Sequence, residues 1–86
     1  MAYGLGELDA LMREEQRLTA LESQAEAWAE GLSAGIDPEI IAEVALATAF
    51  TELLRSCGED AAVALVDRMR ERIIEGEFDP ASQNRH

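Results

Sequence analysis

The stretch that decides the fold is PEIIAEVALATAFTELLRSC, residues Pro38 to Cys57. Between Val44 and Thr51 it holds no charge, and Ile40, Ile41, Val44, Leu46, Phe50, Leu53 and Leu54 fall on more than one side of a helical wheel. A helix that is apolar almost all round is one that other helices surround. The expectation is therefore a central helix in a small all-α domain, with the rest of the chain as its cover; three helices of unequal length cover it too little within one chain, so it reads as the core of an assembly rather than of a monomer.

Both ends of this helix are marked. Upstream, Ile36-Asp37-Pro38-Glu39 places a capping carboxylate before a proline at the first helical position, where its missing N–H is not needed. Glu39 then faces the positive end of the helix dipole. Ile36 and Ile41 are spaced for a hydrophobic staple across the start of the helix. Downstream, Gly58 follows Cys57 and stops it.

Working outward, residues 5–33 repeat apolar side chains as Leu5, Leu8, Leu11 with Met12, Leu18, Leu21, Ala25, Trp28 and Leu32. From Leu11 the spacing alternates four and three, the pattern of a coiled-coil stripe, with Glu14 standing in one seam position. The other side carries Asp9, Arg13, Arg17, Glu22, Glu26 and Glu30. Asp9 and Arg13 are spaced for a favourable pair, whereas Glu22, Glu26 and Glu30 repel along one line. Gly35 suits the left-handed residue past a helix end.

On the other flank, Glu59 and Asp60 supply an acidic first turn to a helix predicted over 59–75, with Ala62, Leu65, Val66, Met69 and Ile73 inward and Gly76 as its stop. Phe78 is placed to fold back on the last turn. Residues 79–86 read as a disordered tail. The predicted architecture is thus a single helical domain over 1–78: a long first helix (5–33), then an antiparallel hairpin of helices 38–57 and 59–75 joined by a very short link.

Assembly follows from the lengths. At 1.5 Å per residue the first helix is about 43 Å long against about 29 Å for the second, so its first half overhangs by roughly 15 Å with Leu5, Leu8, Leu11 and Met12 uncovered. Ala42, Ala45 and Ala49 lie at helical spacing on the second helix, a row that lets another backbone approach closely. An 86-residue chain is also near the lower edge of independent stability, a class that often gains by oligomerising. The expectation is a homodimer or higher oligomer, with Leu8, Leu11, Ala42, Ala45 and Ala49 as its interface.

Charge narrows the partners. Eighteen acidic residues against seven basic ones give a formal net charge of −11. All seven basic residues are Arg, an Ala-rich, Lys-free usage that reads as bacterial-type genomic bias. The acidity opposes nucleic acid and anionic membrane, both bound through phosphate. A helix-turn-helix built on Arg68, Arg70 and Arg72 would present Glu59, Asp60, Asp67, Glu71 and Glu75 beside them, a field of the wrong sign. No stretch approaches a membrane span and the N-terminus carries no basic, apolar leader, so the expected location is cytoplasmic.

Chemistry-bearing residues are sparse. Cys57 is the single cysteine and stands at a helix C-terminus, the wrong end to stabilise a thiolate. His86 is the final residue and has no second ligand near it in sequence. Glu39 with Glu43, or Glu71 with Glu75, read as solvated faces rather than cation sites, because the Glu-x-x-His pairs of bundle metal sites are absent. No phosphate loop, nucleophile elbow or zinc spacing occurs, and no motif ties the chain to a known family. No catalytic residue, cofactor site or metal site is expected.

The functional expectation is a non-enzymatic, acidic, helical protein-interaction module, an adaptor or regulatory subunit that binds itself and another protein. Its candidate partner surface is Glu22, Glu26 and Glu30 with Trp28, the one tryptophan. The alternative is a small chaperone or inhibitor whose acidic surface masks a basic client protein.

Overall fold

The computed structural model describes residues 4–83. They form three long helices and one short turn, α1 (Leu5–Ser33), α2 (Pro38–Cys57), α3 (Glu59–Ile74) and α4 (Pro80–Gln83), with no strand among the described residues. The third predicted helix closes one residue early, with Glu75 as its C-cap. The chain divides into two compact units, Met1–Glu43 and Val44–His86.

In the first unit, α1 starts at Gly4 in extended conformation, with no side-chain cap. It ends in a full Schellman turn. The Gly35 N–H donates to the Leu32 carbonyl at 3.0 Å and the Ile36 N–H to the Gly31 carbonyl at 3.1 Å, with Gly35 at φ 82°. Two residues later Asp37 caps α2 as expected, its Oδ1 accepting from the Glu39 N–H at 3.0 Å. Ile41, spaced for the staple, lies against Gly31: a Cβ at Gly31 would meet Ile41 Cδ1 at 2.7 Å. That glycine gives up helix propensity and in return admits the side chain of the next helix.

In the second unit one residue joins two helices. Gly58, at φ 87° and ψ 175°, donates its N–H to the Leu54 carbonyl at 3.1 Å and accepts from the Ala62 N–H at 3.3 Å. It thereby closes α2 and opens α3. This backbone region is essentially restricted to glycine. Ala62 follows as the buried residue, 7% exposed, and Phe50, Leu53, Gly58, Ala61, Leu65 and Met69 are half-buried. What core there is sits around this junction.

The α3 C-terminus repeats the Schellman turn: Gly76 N–H to Ile73 carbonyl at 3.0 Å, Glu77 N–H to Arg72 carbonyl at 3.0 Å. Here Arg72 and Glu77, the positions that usually hold an apolar contact, form a bidentate ion pair instead, at 2.6 and 2.8 Å. The Arg72 guanidinium also donates to the Met69 sulfur at 3.3 Å and lies 4.8 Å from the Phe78 ring centroid. Phe78 is thus brought to the last turn of α3. Within the stretch read as tail, Asp79 caps α4, its Oδ1 accepting from the Ala81 N–H at 2.9 Å, the same Asp-Pro device that opens α2. Residues 84–86 lie outside the described residues.

No residue of α2 is buried, and Ile40, Val44, Leu46 and Leu54 stand exposed.

Candidate functional site

The feature with the greatest capacity for recognition is α1. None of its residues is buried, although Leu8, Leu11, Met12, Leu18, Leu21, Trp28 and Leu32 are all large and apolar. Written as heptads, Leu11, Leu18, Ala25 and Leu32 take the a positions, and Glu14, Leu21 and Trp28 the d positions. These residues form one continuous seam along the helix. Trp28, the candidate hot spot, is 39% exposed. Exposed apolar surface of this extent on one helix makes α1 the candidate interaction face.

The break in the seam is chemically defined. Glu14 is held by Arg17 in a bidentate pair, Nη2 to Oε1 at 2.7 Å and Nε to Oε2 at 3.2 Å. Those hydrogen bonds, with the neighbouring positive charge adding, hold the Glu14 carboxyl below its ordinary value. The ion pair formed on α1 is thus Glu14 with Arg17, and not Asp9 with Arg13. The seam therefore carries a locally neutral polar dyad among its leucines.

The remaining candidates fall as follows. Glu22, Glu26 and Glu30 are exposed, and none forms an ion pair. Ala42 is half-buried in the first unit, while Ala45 and Ala49 are exposed in the second. Cys57 is a free, exposed thiol. His86 lies outside the described residues. Among those described, no three His, Cys, Asp or Glu side chains gather as a metal site, and no helix is long and apolar enough to cross a membrane. An open groove on α1, off the seam, is lined by Glu15, Gln16, Thr19, Ala20 and Ser23 of that helix.

Two features escaped the sequence reading. The close approach of Gly31 to Ile41 is a tertiary fact that the sequence hints at only through the glycine itself. Arg72, in sequence one of the three arginines weighed for a helix-turn-helix, collects Met69, Glu77 and Phe78 around the end of α3. The second pairing is i to i+5, a spacing that helix-face rules do not propose.

The class defined by these observations is an all-helical chain with an uncovered heptad seam. Compared with protein-family models, with curated proteins and with solved structures, the chain matches none of them.

Proposed function

We propose that the chain is a non-enzymatic, acidic protein-interaction module that associates with itself, in the manner of an adaptor or regulatory subunit. The observation that carries this reading is the α1 seam, with its large apolar residues between 39% and 57% exposed and none buried. An isolated helix is marginal in water, and helices in proteins draw most of their stability from packing an apolar face. A second copy offers the matching face. In this reading α2 and α3, one residue apart, fold as an antiparallel hairpin, and Ala42, Ala45 and Ala49 add to the contact between copies.

Sedimentation at micromolar concentration tests the self-association. A dimer or higher oligomer is expected; a well-folded monomer contradicts the proposal.

A second reading rests on Glu22, Glu26 and Glu30, exposed carboxylates without cationic partners among the described residues. They suit a chaperone or inhibitor that masks a basic client. Partner affinity that falls steeply with salt, and is lost when all three glutamates are reversed in charge, supports this reading. Affinity indifferent to both favours the apolar seam.

A further inference from the structure

The end of α3 is fastened by charge where such turns are ordinarily fastened by apolar contact. From its geometry we infer that residues 76–83 form a strap held on α3 by one catch, the Arg72 guanidinium, and that the strap opens as one piece when that charge is screened or removed.

The place of Arg72 is the first observation. The residues of α3 that lose most exposure are Ala61, Ala62, Leu65, Met69 and Arg72, one line at helical spacing that runs on to Gly76. Arg68 and Arg70 stand exposed, off that line. An arginine on the inward line of a helix needs a partner for its head, because a desolvated cation without one is costly. The chain supplies it at once. Gly76, at φ 80°, reverses direction, and the next two side chains meet the guanidinium. The Glu77 carboxylate accepts from it at 2.6 and 2.8 Å, and the Phe78 ring centroid lies 4.8 Å from it. The Met69 sulfur, accepting at 3.3 Å from within α3, aims the guanidinium toward them.

The second observation is how the segment is tied. The main chain binds it to α3 only at its root, through the Gly76 and Glu77 N–H groups of the Schellman turn. Beyond Glu77, the hydrogen bonds among the described residues stay inside the segment. The Asp79 N–H donates to the Gly76 carbonyl at 3.1 Å, and the Ala81 N–H donates to Asp79 Oδ1 at 2.9 Å. Asp79 thus joins the turn to α4, so the segment is tied to itself and moves together. Two successive side chains, one ionic and one aromatic, depend on the same cation.

The third is the kind of bond. An apolar contact between these two positions of the turn would hold at any ionic strength, whereas an ion pair is screened by salt. Among the ion pairs of the described residues this one is the least exposed, at 43% and 47%. It is still far from buried, and pairs of that kind are weak enough to break often in a folded chain. The strap therefore belongs to the low-stability class of local openings. Opening it presents Glu77 and Phe78 together as an acidic and aromatic segment, and frees the guanidinium on the inward line of α3.

Limited digestion of the full chain with chymotrypsin tests the inference. Cleavage after Phe78 reports the open strap, and cleavage after Phe50, inside α2, reports unfolding of the second unit. Each Phe78 rate is divided by that of a free peptide of residues 72–83 carrying the same change, which removes effects on the protease itself. Arg72→Gln is expected to be cut after Phe78 about fivefold faster than the parent, the scale of a half-exposed ion pair, with cleavage after Phe50 unchanged. Glu77→Gln should also be cut faster, and the double variant no faster than Arg72→Gln alone, because both residues serve one catch. Raising salt to about 1 M should bring the parent up to the Arg72→Gln rate and leave that variant where it was. Parent-like cleavage of Arg72→Gln overturns the inference, and so do two single effects that multiply in the double variant. Cleavage after Phe50 that rises in step with cleavage after Phe78 also overturns it, since the whole unit and not a strap would then be opening.

Discussion

The two ends of this chain treat apolar side chains in opposite ways. Around Gly58 the link between α2 and α3 is one residue long, and the side chains near it, Phe50, Leu53, Ala61, Leu65 and Met69, lose half or more of their exposure, with Ala62 buried. Along α1, twenty-nine residues long, nothing is buried. The difference lies in chain connectivity rather than in composition. A short link brings neighbouring residues together at low entropic cost, whereas no such link adjoins the α1 seam, and in the proposed reading a second copy covers it. The junction is thus organised by the chain itself, and the seam, on that proposal, by what it meets.

The largest expected effect comes from placing charge in the seam. Leu18→Glu with Leu21→Glu adds two carboxylates per copy to a surface already acidic. Association should weaken by at least 100-fold, about 2.8 kcal/mol at 1.4 kcal/mol per tenfold. Sedimentation measures it, and helicity of the second unit should persist. Equal association of variant and parent would place the interface elsewhere.

A substitution at the junction comes next. Gly58→Ala forces a side chain into a region that only glycine occupies readily, at a cost of roughly 1–3 kcal/mol. Thermal unfolding should fall accordingly while the oligomeric state is retained at concentrations well above dissociation. A variant as stable as the parent would show that the junction conformation is not demanded by the fold.

The smallest effect is that of acid. Hydrogen bonds from Arg17 and Arg72 lower the Glu14 and Glu77 carboxyls below their ordinary value of 4.5. A carboxylate depressed in the folded state contributes stability that is present above its unfolded value and lost as pH falls through the folded one. Both contributions are therefore full at neutral pH and disappear below pH 4.5. In the Gln variants, Glu14→Gln and Glu77→Gln, the portion of the acid-induced change due to these groups should be absent. An unchanged titration in both would mean that neither pair persists in solution. Since both pairs are exposed, salt should weaken them.

What the sequence made legible follows the same division. The Asp37–Pro38 start, the glycine stops at Gly35, Gly58 and Gly76 and the heptad spacing of α1 are local signals, each encoded by a few adjacent residues, and each appears in the structure. The same Asp-Pro signal at Asp79–Pro80 was present but was outweighed by the polar stretch that follows it. Two features were not legible, because they depend on distances between turns or helices. These are the approach of Ile41 to Gly31 and the gathering of Met69 and Glu77 by Arg72. The candidate surface divides likewise. The positions of Leu8, Leu11, Trp28 and the three glutamates on α1 were readable, whereas the neutralisation of Glu14 by Arg17 required side-chain geometry.

The central claim is that α1 depends on a partner for its stability and the junction does not. Amide hydrogen exchange at protein concentrations below and above the association midpoint tests it most directly. Protection of α1 amides from Leu11 to Trp28 should rise with concentration, while amides from Leu53 to Leu65 keep the same protection at both. Protection of α1 that is strong and independent of concentration would contradict the account.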